Sequence, residues 1–166
     1  RDDPGSPEPI DGRAGFARQE RKLGAVPRRA LGQDDEESAA LLDEAVATTE
    51  DAVANQGNRL LALGCKAVLI KGGHGSGAES VDFLVQPTAV ARFAAARIDT
   101  QNTHGTGCTL ASAIAAGLAK GLDLGDSVQQ AKAYVTAAIA ASDRLTIGHG
   151  HGPVHHFHDW WNEGTA

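Results

Sequence analysis

Regular alternation of apolar and polar positions sets in at Ser38. Ser38-Ala39-Ala40-Leu41-Leu42-Asp43-Glu44 predicts a short helix. Thr49 stands where it can cap a second, with Glu50 and Asp51 in its first turn, Leu60, Leu61 and Leu63 toward its end, and Gly64 as the stop. Ala67-Val68-Leu69-Ile70 is a compact apolar run, the pattern of a strand buried on both faces, and Lys71-Gly72-Gly73-His74-Gly75 breaks it. Ser80 to Gln86 and Ala91 to Ile98 predict two strands about a turn at Pro87, paired antiparallel. Leu110, Ile114 and Leu118 recur at helical spacing among alanines and Gly117, and Gly121 ends that helix. A last helix is expected from about Gly125 to Leu145, with Val128, Ala131, Val135 and Ile139 on one face. Helix, strand, hairpin, helix, helix predicts α/β architecture in which slim helices cover a sheet.

Residues 1–37 differ. They hold four of the six prolines and 16 charged residues of both signs, with no sustained period among the apolar ones. Such a stretch buries too little apolar area to offset the entropy of ordering it, so disorder is expected up to about Leu31. The acidic run Asp34-Asp35-Glu36-Glu37 is expected to be a solvated helix start, because carboxylates favour the positive end of a helix dipole.

Composition narrows the function classes. A net charge of −6 argues against a nucleic-acid or anionic-membrane surface, and the apolar runs are too short for a spanning helix. The two cysteines, Cys65 and Cys108, form no metal-type pair, and the expected setting is a reducing, cytoplasmic one. Cys65, between Gly64 and a strand, is expected to be buried and inert. The 166 residues include no methionine, which fits either maturation by cleavage or a piece of a longer protein.

The chemistry concentrates at Asn102 to Thr109. Gly105 and Gly107 flank Thr106 where an irregular segment enters a helix. Glycines leave room for a close approach to the backbone, and the first amides of a helix point outward, unpaired, in the positive field of the dipole. Gly105, Thr106, Gly107 and Cys108 therefore make a candidate anion hole suited to phosphate oxygens. In that field the Cys108 thiol is expected to ionise more readily and to take a proton from a hydroxyl. Spacing alone leaves the alternatives open: a plain turn, and a cysteine that only fills space. The stretch is not a P-loop, since no Gly-Lys-Ser/Thr follows.

Asn102-Thr103-His104-Gly105-Thr106-Gly107-Cys108-Thr109 and the helix after it resemble the C-terminal signature of the hydroxymethylpyrimidine/phosphomethylpyrimidine kinases, thiamine-biosynthesis enzymes of the ribokinase-like superfamily. Leu60 to His74, Ala131-Lys132-Ala133-Tyr134-Val135 and Gly152-Pro153-Val154-His155-His156 are similar to three further stretches of that family, in the same order. The resemblance spans about residues 38–166. It implies a partial ribokinase-like fold, the C-terminal half of a three-layer α/β/α domain. It also implies ATP and Mg2+ as cofactors and stepwise phosphorylation of 4-amino-5-hydroxymethyl-2-methylpyrimidine and its monophosphate. By the same resemblance Cys108 is the general base, the amides of Gly105 to Cys108 stabilise the transferring phosphoryl group, and Lys71 and Thr103 bind ATP. The small-molecule substrates are then the partners, with no nucleic acid or membrane and a homo-oligomer left open.

Departures from the family pattern qualify this. Where the family shows Asn-x-x-Glu, tied to magnesium and phosphate, this chain reads Asp34-Asp35-Glu36-Glu37: Glu37 is kept, Asp34 replaces Asn, and the usual Pro is lost. Glu37 and Asp34 are the metal candidates. Nothing in residues 1–37 resembles the family's N-terminal half, so the chain is expected to carry only the second part of a domain of about 250 residues, with marginal stability and impaired activity. A non-catalytic or partner-dependent piece and a pyridoxal-type kinase are the rival readings. The histidines from His149 to His158 are expected to follow the family C-terminus rather than bind metal, and Trp160 and Trp161 to pack.

Overall fold

The computed structural model describes residues 31–73 and 77–161, with the backbone alone for Leu31–Asp34. The elements run β1 (Leu31–Asp34), α1 (Asp35–Leu42), α2 (Glu50–Leu61), β2 (Val68–Lys71), β3 (Glu79–Gln86), β4 (Ala89–Ala96), α3 (Thr106–Ala119) and α4 (Leu124–Ala140), followed by a 3-10 turn at Ser142–Arg144. The strands form one sheet in the order β1-β2-β3-β4. β1 lies parallel to β2 with Asp34 opposite Lys71, whereas β2 and β3, and β3 and β4, are antiparallel.

Strand alternation sorts the core onto two faces. Val68, Ile70, Phe83 and Val85 face one way and pack with Val53 and Leu60 of α2. Ala67, Leu69, Leu84 and Phe93 face the other way and meet Leu110 of α3 and Val128, Ala131 and Val135 of α4. The result is a layer of helix, a sheet and a second layer of helices, and β2 is buried on both faces as its apolar run predicts. Close approach is bought with small residues. A Cβ on Gly57 would meet Val85 Cγ2 at 2.5 Å, and one on Gly117 would meet Ser127 Oγ at 2.8 Å, so α2 seats on the sheet and α3 on α4 only because those positions are glycine.

The helix starts follow the expected chemistry. Thr49 Oγ1 accepts from the Ala52 amide at 3.2 Å, and the Asp123 carboxylate accepts from the Asp126 amide at 2.8 Å. Three boundaries differ from the sequence reading. The acidic run is split, since Asp34 closes β1 and only Asp35, Glu36 and Glu37 form the first turn of α1, ahead of Ser38. Pairing with β2 supplies what the polar stretch Gly32-Gln33-Asp34 lacks in strand propensity. α4 stops at Ala140, and the chain tightens into the 3-10 turn instead of continuing to Leu145. β4 begins at Ala89 and ends at Ala96.

Cys65 is half-buried against the α2 side of the core rather than sealed within it. Of the two tryptophans, Trp161 stacks on Phe157 with centroids 5.2 Å apart, while Trp160 leans on the same ring and remains 79% exposed. The expected disorder ahead of Leu31 lies outside the described residues, as do His74 and Gly75. No described helix is long and apolar enough to cross a membrane.

Candidate functional site

A cavity of about 300 Å3 opens at the carboxyl end of β2, between the end of β4, the tip of α3 and the flank of α4. Lys71, Thr103, Thr106 and Gly107 line one part of it. Leu110, Val135 and Ile139, with Ile98, form an apolar wall. Ser80, Asp82, Arg97 and Lys132 complete the lining. In sheets with parallel strands this is the place where ligands bind, outside the strands' carboxyl ends.

The tip of α3 is bare. Gly105 takes a left-handed conformation, φ +87°, which turns the incoming chain into the helix and leaves no side chain capping it. Thr106 donates its amide to Thr103 O at 3.3 Å, and Thr109 closes the first turn onto Gly105 O through both its amide (2.9 Å) and its hydroxyl (2.7 Å). Among the described residues the amides of Gly107 and Cys108 have no hydrogen-bond partner. The ammonium of Lys71 approaches Gly107: a Cβ there would stand 3.6 Å from Lys71 Nζ. Unpaired amides, a helix dipole and an ammonium thus share one small volume, a combination that favours an anion.

Cys108 is exposed and lies off this cavity. With Thr109, Ser112, Ala113, Tyr134 and His156 it borders a second, more open hollow of about 390 Å3 on the other flank of the tip. The structure therefore brings Lys71, Thr103, Thr106 and Gly107 together, places Gly105 as the hinge behind them, and sets Cys108 across the helix end. Glu37 is exposed in the first turn of α1. Asp34 closes β1 directly beside Lys71 in the sheet register.

The loop before α3 is tied to the C-terminal tail. Asp143 Oδ1 accepts from Thr100 Oγ1 at 2.8 Å and from Asn102 Nδ2 at 2.9 Å, while Asn102 Oδ1 accepts from the Gly152 amide at 3.1 Å. His104 and Pro153 form a β-bridge alongside. The tail then buries Val154 and His155, whose amide donates to Ala138 O at 2.9 Å. Burial, with the nearby charges of Arg144 and His158, holds the His155 imidazole below its ordinary pKa.

The motifs assign no role to three side chains of the cavity, although Lys132 lies within one of them. Asp82 and Lys132 form a buried ion pair at 2.8 Å, only 3% and 7% exposed. Arg97 donates to four backbone carbonyls, those of Gly72, Gly73, Gly77 and Glu79. A signal was present for the pair. Asp82 shares its strand face with Leu84, and Lys132 stands one turn beyond Val128 on the inner stripe of α4, so opposite charges occupy two core-facing positions. Arg97, beyond the last residue of β4, carries no periodic signal.

A model of the family described as phosphomethylpyrimidine kinase matches residues 33–155. A hydroxymethylpyrimidine/phosphomethylpyrimidine kinase of Rhizobium meliloti is 51% identical over 127 residues, covering 76% of this chain and 48% of that protein. The enzyme of the same name from Escherichia coli is 52% identical over 125 residues, 75% of this chain and 47% of its own length. The chain thus spans about half the length of the curated relatives it matches. Among solved structures, an ADP complex of Bacillus subtilis pyridoxal kinase superposes with a TM-score of 0.74 at 30% identity, over 81% of this chain and 50% of that one. A Staphylococcus aureus pyridoxal kinase in complex with ADP gives 0.73 at 25% identity, over 80% and 49%. The ribokinase-like α/β fold expected from the sequence, present as about half of a domain, is what these superpositions return.

Proposed function

The chain belongs to the phosphomethylpyrimidine kinase family, and from that premise we propose that its cavity and helix tip form the phosphoryl-transfer part of a hydroxymethylpyrimidine/phosphomethylpyrimidine kinase site. ATP is the donor, and the acceptors are 4-amino-5-hydroxymethyl-2-methylpyrimidine and then its monophosphate. The observation that carries the reading is the Lys71 ammonium standing beside Gly107, at the helix tip where the amides of Gly107 and Cys108 are unpaired. The wall of Ile98, Leu110, Val135 and Ile139 suits the apolar face of a nucleotide base. The phosphate chain then runs past Thr103 and Lys71 to the tip of α3.

Transfer takes place over that tip, because the two hollows flank it. The acceptor hydroxyl approaches from the side of Cys108, whose thiolate takes the hydroxyl proton as the oxygen attacks the γ-phosphorus. The bond from phosphorus to the β,γ-bridging oxygen breaks and ADP leaves. The unpaired amides of Gly107 and Cys108 and the Lys71 ammonium offset the charge on the phosphoryl oxygens, where positioning and electrostatics supply most of the catalysis; the Thr106 amide, expected to join them, is taken up by Thr103 O instead. In the second round a phosphate oxygen of the monophosphate is the nucleophile in place of the hydroxyl.

Magnesium characteristically binds through one or two carboxylates together with substrate phosphates. Asp34 stands opposite Lys71 in the sheet register and Glu37 follows in the first turn of α1, and these two would supply the carboxylates. The ion would neutralise phosphate charge there. We place the reaction in the cytoplasm, where reducing conditions keep Cys108 a free thiol. A pyridoxal acceptor is the less favoured reading. Identity to the two pyrimidine kinases named above is 51% and 52%, against 30% to the Bacillus subtilis pyridoxal kinase of similar fold.

The test is a chimera in which residues 33–155 replace the matching stretch of the Escherichia coli relative. The chimera is expected to phosphorylate the hydroxymethylpyrimidine with ATP, and Cys108→Ala in it to lose turnover by about 100-fold or more while still binding ATP. Turnover unchanged by Cys108→Ala would remove the thiol from the mechanism.

A further inference from the structure

The Gly72 peptide, the first after Lys71, is gripped from several sides. Its amide donates to Val81 O at 2.9 Å and to Asp82 Oδ1 at 3.1 Å, and its carbonyl accepts from Arg97 Nη2 at 3.3 Å. Asp82 is itself fixed, because its other oxygen takes the Lys132 ammonium at 2.8 Å and Lys132 also donates to Ser80 Oγ at 3.2 Å. Arg97 has no guanidinium nitrogen left over: Nε serves Gly77 O, Nη1 serves Gly73 O, and Nη2 serves Gly72 O and Glu79 O.

This arrangement is expensive for a role in stability alone. Two charges withdrawn from water cost several kcal/mol each in desolvation, and well-packed apolar residues usually do as well or better. What the pair achieves that apolar residues cannot is a second, side-chain acceptor for one amide, beside the Val81 carbonyl. That amide belongs to the residue after Lys71, at the point where β2 ends and main-chain pairing alone would have to hold the chain's direction. A Cβ on Gly72 would also run into Val81 O, so β3 sits directly against the same peptide.

We propose that Asp82, held by Lys132, and Arg97 are positioning residues that lock the Gly72 peptide and so aim the Lys71 amine at the tip of α3. The inference rests on the phosphate reading of that tip for its functional meaning. Neither Asp82 nor Arg97 need touch the nucleotide. Asp82 acts through the Gly72 amide, Lys132 through Asp82, and Arg97 through the carbonyls of Gly72, Gly73, Gly77 and Glu79.

The experiment uses the full chain labelled with 15N and follows the Gly107 amide resonance. Lys71→Met defines the shift caused by withdrawing the ammonium. Asp82→Leu combined with Lys132→Met removes both charges together, so no unpaired charge is left buried and the fold is retained. The expected result is that this paired variant, and separately Arg97→Lys, move the Gly107 resonance in the same direction as Lys71→Met. Adding either to Lys71→Met should move it no further. In parallel, tripolyphosphate should bind the wild type, and each variant should weaken it by about tenfold, non-additively with Lys71→Met. A Gly107 resonance left at its wild-type position in both the paired variant and Arg97→Lys overturns the proposal, whatever happens to thermal stability. A wild-type chain that ignores tripolyphosphate would instead sink the phosphate reading, and the resonance would still decide whether Asp82 and Arg97 aim Lys71.

Discussion

Lys71 and Gly107, far apart in sequence, meet at the mouth of the cavity: the ammonium stands 3.6 Å from the point where a side chain on Gly107 would begin. That distance is ordinary van der Waals contact, so an alanine there fits the protein but occupies the space a phosphate oxygen would use. Gly107→Ala is therefore expected to leave stability unchanged or raise it by up to about 1 kcal/mol, as alanine usually does in a helix. ATP affinity should fall by about tenfold or more. Denaturant unfolding and calorimetry on the same sample separate the two effects, and a variant that binds ATP like the wild type would place the phosphate elsewhere.

The opposite balance is expected at Gly117. A Cβ there would meet Ser127 Oγ at 2.8 Å and Ser127 Cα at 3.3 Å, and the second contact is backbone that cannot swing aside. Gly117→Val should push α3 off α4 and cost about 1–3 kcal/mol in denaturant unfolding. An unfolding midpoint equal to the wild type would mean that the helices do not cross this closely.

Asn102 joins Asp143 to the Gly152 amide and thereby moors the approach to α3. Asn102→Ala removes both bonds and is expected to cost about 1–2 kcal/mol. Hydrogen exchange should speed up from Thr103 to Cys108 while α2 keeps its protection. Uniform acceleration over the chain would instead indicate a global effect with no special bearing on the tip.

His155 makes stability depend on pH. Its imidazole is held below the ordinary value of 6.5, first by burial and then by the charges of Arg144 and His158. The unfolded chain thus takes up this proton at a higher pH than the folded one. The contribution is present in full above about pH 6.5 and is lost as the pH falls toward the depressed folded value. Thermal midpoints should drop between about pH 7 and about pH 5. His155→Phe should flatten that part of the profile, and an identical slope in wild type and variant would assign the dependence to other groups.

Much of the fold is legible in the sequence where neighbours in the chain decide it. Ala67 to Ile70 reads as a doubly buried strand because both alternating faces are apolar, and Thr49 and Gly105 mark helix starts through their own chemistry. β1 is not legible, since Gly32-Gln33-Asp34 is a strand only by virtue of its pairing with β2. The end of α4 is equally a matter of tertiary context, set where the tail returns to bury His155.

The site divides along the same line. Lys71, Thr103, Thr106 and Gly107 carry motif signals and do converge. The separation of Cys108 onto the far flank of the helix end is a matter of angle around α3, which spacing in sequence does not express. Asp82, Lys132 and Arg97 lie on three different elements, and their meeting depends on how β3, α4 and the end of β4 are stacked. Two opposite charges at core-facing positions were the available hint.

The central claim, that the tip of α3 together with Lys71 cradles phosphate, is tested most directly by titrating ATP calorimetrically into the full chain and into Lys71→Ala. The account predicts binding to the wild type, weakened by about tenfold or more in the variant, and a loss of affinity with added salt that the variant shows less steeply. Equal affinity in the two proteins, or no binding to the wild type, would contradict it.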